Sequence, residues 1–192
     1  MKSDTITGQT TRIDTKTVVM TAFFAAITFL GIQAFRIPLP AAVGTPFVHF
    51  GHIFVVMGVL LQGGKRGAVS GTIGLVVFDI LNGYLHAMPQ VFVETIVKCL
   101  ILGSIFALWK KKHEERQEYL GAVICSVIYG CMNIVIEFAM GVVQMMIVGS
   151  GFKAAIVASA TSIPATIINV VFLIAGIAAL YKPVKKVYQR VK

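Results

Sequence analysis

Residues 90–112 read QVFVETIVKCLILGSIFALWKKK, an apolar run from Gln90 to Trp109 closed by three lysines. A helix needs about 20 such residues to cross the roughly 30 Å of hydrocarbon in a bilayer. Lysines at the end of the run are the charge signature of a cytoplasmic loop. Two ionisable residues, Glu94 and Lys98, lie inside the run, where lipid cannot solvate them. This one stretch therefore points to a membrane helix that carries buried chemistry.

Working outward, the pattern repeats. Expected spans run over about 16–35, 48–61, 68–81, 90–109, 120–148 and 154–181, the second of them short and the last containing Pro164. Between them lie a Pro-rich loop from Arg36 to Pro46, a tight basic turn at Gln62–Gly67, and a turn-forming stretch from Asn82 to Pro89 holding Tyr84 and His86. A charged connector from Lys110 to Glu118 and the Gly149-Ser150-Gly151 turn complete the set. The expected architecture is all-α and integral to the membrane: one domain over residues 1–192, a bundle of six transmembrane helices.

Composition agrees. Of 192 residues 57% are apolar and 13% charged, and the mean hydropathy is +0.85, unlike a soluble domain with a polar shell. The net charge of +9 does not imply a nucleic-acid partner, because the basic residues cluster at the ends of apolar runs and form no basic face with aromatic platforms. With six crossings, fourteen Lys and Arg fall in the two termini and the loops on their side, against Arg36 and Lys153 opposite, with Lys98 left inside a span. That asymmetry places both termini in the cytoplasm. The polar N-terminus lacks the short apolar core of a cleaved signal peptide. Cys99, Cys125 and Cys131 form no CxxC or Cys/His cluster and are expected as buried free thiols.

Polar residues at membrane depth are the functional candidates. Glu94 and Lys98 are four apart, acid before base, and stack on one helix face; Glu94 either neutralises Lys98 or meets a ligand. Asn133, Glu137 and Gln144 put a polar stripe on one face of the fifth span, which must turn inward to hydrogen-bond other helices or to line a pocket. Asn169 and Thr166 on the sixth span can face the same interior. Asp79 and Asn82 lie at one end of the third span, either as pocket contacts or as loop caps. His49 and His52, spaced i, i+3, lack a third ligand at fixed spacing, and no metal is expected. No HExxH or paired-aspartate motif occurs, Gly149-Ser150-Gly151 reads as a turn, and there is no GxxxxGK[ST] sequence, so neither catalysis nor ATP binding nor a cofactor is expected. Ala22 and Ala26 form a small-xxx-small pair on the first span, which either packs within the chain or docks a partner.

In this order, the Ala22/Ala26 pair, Arg36-Ile37-Pro38-Leu39-Pro40, Phe47-Val48-His49-Phe50-Gly51-His52, Gly63-Gly64-Lys65-Arg66-Gly67-Ala68 and Lys98 resemble the substrate-binding S components of energy-coupling factor (ECF) transporters. The likeness covers essentially the whole chain and is greatest for the riboflavin and hydroxymethylpyrimidine branch. One departure is His52, where that pattern has an acidic residue. The resemblance implies a prokaryotic cell-membrane protein that works with a transmembrane coupling protein and two cytoplasmic ATPases. Ala22 and Ala26 would face the coupling protein, the ligand would sit in the outer half under the loop from Arg36 to Pro46, and the subunit would topple in the membrane to release it. The carboxylates suggest a ligand with amine or hydroxyl donors, such as hydroxymethylpyrimidine or a pyridoxine-like compound, with riboflavin or another B vitamin as the alternative. A channel or structural subunit is the alternative from another class, for which the polar groups would have to span the full thickness.

Overall fold

The structure is a computed structural model, and it describes residues 14–40, 46–85 and 87–191. His86, the middle of the Pro-rich loop, and the basic residues Lys2, Arg12 and Lys192 lie outside the described residues. In chain order come α1 (Thr15–Gln33), the short strands β1 (Ile37–Pro38) and β2 (Phe47–Val48), α2 (Gly51–Gln62), α3 (Gly64–Leu81), α4 (Met88–Lys112), a 3-10 turn at Glu115–Gln117, α5 (Glu118–Ile147), α6 (Phe152–Ala160) and α7 (Ile163–Val191).

Four of these, α1, α4, α5 with its preceding turn, and α7, are long and apolar enough to cross a membrane, and α2 is a shorter apolar helix. The outer faces of α1, α3, α4 and α7 carry large exposed aliphatic and aromatic side chains, among them Phe23, Leu30, Ile73, Phe92, Val97 and Val171. A water-soluble surface scatters such residues singly; here they clothe the bundle, as lipid contact requires.

The centre of the bundle is α2. Apolar round its whole circumference, it buries nine of its twelve residues, as a helix without a polar face must. It packs against α1, α3, α4, α5 and α7, and Val55, Val56, Met57 and Val59 are at most 1% exposed. Around it, α1 lies on α3, α3 on α4, α4 on α5, and α5 on α6 and α7.

Several boundaries differ from the expected ones for physical reasons. The turn between the second and third spans is Gly63 alone, at φ 90°, a left-handed conformation that glycine adopts without a Cβ clash. Lys65, Arg66 and Gly67 are the first turn of α3 rather than a connector. Residues Phe47 and Val48 are not helical: they pair antiparallel with Pro38 and Ile37, so His49 precedes α2 instead of sharing a face with His52. The charged connector is largely helical, since α4 continues through Lys112 and Glu115–Gln117 forms a turn. The segment expected as a sixth span is broken at Thr161–Ser162 into α6 and α7. Pro164 sits in the first turn of α7, where a missing N–H leaves no intrahelical bond unmade, and the helix carries Pro183 inside it on its way through the basic tail. Of the three thiols Cys99 and Cys125 are buried and Cys131 is exposed on the bundle surface.

Candidate functional site

At the end of the bundle away from Lys65, Arg66 and Lys110, the helices part around a cavity of about 550 Å³. Four elements supply its polar wall. α3 brings Asp79 near its C-terminus, and α4 brings Gln90 and Glu94 from its first two turns. α5 brings Glu137, Gly141 and Gln144 from its last three, and Ser159 and Ser162 come from the α6–α7 break. Phe47 and Tyr84 add aromatic faces from the segments that close the end. Counting 1.5 Å per residue, Glu94 lies about 9 Å below the start of α4 and Glu137 about 15 Å below the end of α5. Few polar groups in a mostly apolar concavity of this size suit a small ring-bearing ligand, which takes pockets of about 300–1,000 Å³.

Beneath the cavity floor runs a chain of buried polar contacts. Lys98 is 1% exposed; its Nζ donates to Asn133 Oδ1 at 2.7 Å, lies 3.5 Å from Glu94 Oε1, and sits 5.6 Å from the centre of the Tyr129 ring. An ammonium this deep needs such partners, since removing it from water costs several kcal/mol. The Tyr129 hydroxyl reaches His52 Nδ1 at 3.4 Å, and the His52 ring lies 4.7 Å from that of His49. Glu137 accepts from the Thr166 hydroxyl at 2.7 Å, and the Gln144 amide donates to the Gln90 carbonyl oxygen.

The expected residues thus divide. Asp79, Glu94, Glu137 and Gln144 meet at the cavity. Asn133 does not reach it and instead holds Lys98. Asn169 is a fastener: its Oδ1 accepts from the His49 backbone N–H at 2.9 Å and its Nδ2 donates to the Phe47 carbonyl at 3.0 Å, clamping β2 to α7. His49 supports the wall from behind, its ring 5.3 Å from that of Phe47. Asn82 ties the rim together, accepting from Arg36 at 3.3 Å and donating to Gln33 Oε1 and to the Phe78 carbonyl at 2.9 Å each. The Arg36 guanidinium carbon lies 5.8 and 5.7 Å from the Phe47 and Phe78 ring centres.

Gln90, Ser159 and Ser162 line the cavity without having been expected there. Gln90 carried a signal, lying one turn before Glu94 on the same face; a serine in an apolar helix carries none, because it can satisfy itself on its own backbone. Ala22 and Ala26 are exposed on the outside of α1, while Ala25 between them is buried. They line a shallow apolar groove with Phe29, Ile73, Gly74 and Val77 between α1 and α3.

A search among curated proteins finds no match to this chain. Among solved structures it is similar to ThiT from Listeria monocytogenes, with a TM-score of 0.58 at 19% sequence identity over 90% of this chain and 96% of that one. At that identity the likeness is one of fold. A family model, that of the ECF-type riboflavin transporter S component, matches residues 12–186. That match reaches every helix, ending inside α7, and takes in every residue of the cavity wall, and the chain accordingly belongs to the family of ECF-type riboflavin transporter S components, multi-pass membrane proteins of vitamin uptake.

Proposed function

We propose that this chain captures a hydroxymethylpyrimidine- or pyridoxine-like compound from outside the cell and delivers it through an ATP-driven ECF module, made of a transmembrane coupling protein and two cytoplasmic ATPases. The observation that carries the reading is the cavity wall: Glu94 and Glu137 as acceptors, the Gln90–Gln144 amide pair, and the flat faces of Phe47 and Tyr84. A carboxylate accepts two donors side by side, as an amino group next to a hydroxymethyl group, or two neighbouring hydroxymethyl groups, present them on a ring. Riboflavin is the second reading, favoured by the family description and by a cavity of about 550 Å³, roomy for a single small ring.

The polar groups gather at one end of the bundle, which supports a closed binding site over a pore through a channel or structural subunit. In this proposal the whole chain is one domain of six crossings, with α6 and α7 sharing the last and both termini cytoplasmic; the fourteen-to-two distribution of Lys and Arg supports it. A reporter fused after Lys192 that is active only in the cytoplasm checks that orientation. Ala22 and Ala26 are the proposed seat of the coupling protein, supported by their outward exposure.

Thermal-shift screening of the purified chain against B vitamins and their precursors tests the substrate. A ligand that binds only the folded form raises the melting temperature, by an increment equivalent to about 2.7 kcal/mol at a hundredfold excess over Kd. The expected result is a shift with hydroxymethylpyrimidine or pyridoxine. A shift with riboflavin alone selects the second reading, and no shift with any vitamin contradicts both.

A further inference from the structure

Three carboxylates, Asp79, Glu94 and Glu137, line the cavity, and among the described residues no lysine or arginine lines it with them. The nearest cation below is Lys98, whose ammonium is divided between Asn133 and Glu94. At the rim, Arg36 is bound to Asn82 and turned to the faces of Phe47 and Phe78. Glu137 accepts from a neutral hydroxyl donor, Thr166. Among the described residues, three acids against one shared ammonium leave a formal excess of two negative charges around a mostly apolar concavity, an arrangement that costs several kcal/mol without a counter-charge.

A second observation is independent of that charge count. Asp79 and Ser159 are 8% and 7% exposed, both line the cavity, and neither Asp79 Oδ2 nor Ser159 Oγ has a hydrogen-bond partner among the described residues. Buried polar atoms are rarely left so, because each orphan costs about 1–3 kcal/mol. Glu94 Oε2 is a third such atom on the same wall.

We infer that the ligand is held as an organic cation, an ammonium or a positively charged ring nitrogen set against Asp79 and Glu137, with a ligand hydroxyl on Ser159. The inference rests on the capture reading above and narrows it: a positive charge offsets the excess carboxylate, and the ligand's donors fill the orphaned oxygens. Ser159 then becomes a specificity residue. Its Oγ is the atom nearest to where a Cβ on Gly141 would stand, at 3.1 Å, so the missing side chain on α5 keeps this hydroxyl uncovered.

The test is isothermal titration of the full chain in detergent at neutral pH with probes matched in ring and different in charge: pyridoxamine, pyridoxine and 4-pyridoxic acid, with thiamin as a fixed cation and riboflavin as a neutral ring. The expected result is that a cationic probe binds at least tenfold more tightly than the neutral and anionic ones. Asp79→Asn should then weaken the cation by at least tenfold more than it weakens a neutral probe; Glu137→Gln gives the same comparison if Asp79→Asn fails to fold. Tightest binding by pyridoxine or riboflavin, with no change in Asp79→Asn, overturns the cation assignment and leaves the capture reading standing. Failure of every cationic probe to bind also overturns it, and failure of the neutral probes as well removes the capture reading with it.

Discussion

Lys98 is the residue whose environment is most constrained. It stands between α4 and α5, with one hydrogen bond, one ion pair and one aromatic face. Breaking a buried pair from one side leaves the other charge uncompensated and costs about 3–5 kcal/mol, whereas removing both charges together is often nearly neutral. Lys98→Met is therefore expected to lower the melting temperature sharply, and Lys98→Met/Glu94→Gln to recover much of the loss. Thermal unfolding of the two variants and of Glu94→Gln closes the cycle, and a double variant no more stable than Lys98→Met would show that Lys98 acts through Asn133 alone. The pair itself was legible from spacing, since residues four apart share a face. The division of the remaining polar residues into contacts and fasteners was not, because it depends on meetings such as His49 with Asn169, 120 residues apart in the chain, that no local pattern records.

At the scale of elements, apolar length defined the long helices, and the differences fell where hydrophobicity is a poor guide. Glycine and lysine in Gly64–Gly67 look like a turn, yet Gly63 alone reverses the chain and the basic side chains begin α3. The α6–α7 break follows Ala160 at Thr161-Ser162, just before Pro164, a short cluster of turn formers that the surrounding apolar run masks. The closeness of α3 to α4 is likewise a matter of what is missing: a Cβ on Gly103 would come within 2.6 Å of the Gly64 backbone nitrogen and nearer still to its Cα. Small residues at such crossings let membrane helices approach backbone to backbone. Gly103→Val is expected to force α3 and α4 apart and to destabilise by about 1–3 kcal/mol or more. Ser104→Ala, at an exposed neighbour whose hydroxyl bonds only its own helix at Leu100, should stay within about 0.5 kcal/mol. Equal melting temperatures for these two variants would contradict the close crossing.

For the whole molecule, the proposed ligand cavity and the proposed docking groove occupy different surfaces. The cavity opens among α3, α4, α5 and the α6–α7 break, and the alanine groove lies on the outside of α1 and α3. Ala22→Trp should therefore abolish co-purification with the coupling protein while changing vitamin affinity less than twofold. Retention of the complex would place the partner on another face. The central claim is that the carboxylate cavity holds the transported molecule, and titration of purified wild type, Glu94→Gln and Glu137→Gln with the vitamin selected by thermal shift measures it directly. The account predicts folded variants whose affinity falls at least tenfold, a loss of about 1.4 kcal/mol or more; unchanged affinity in both folded variants would contradict it.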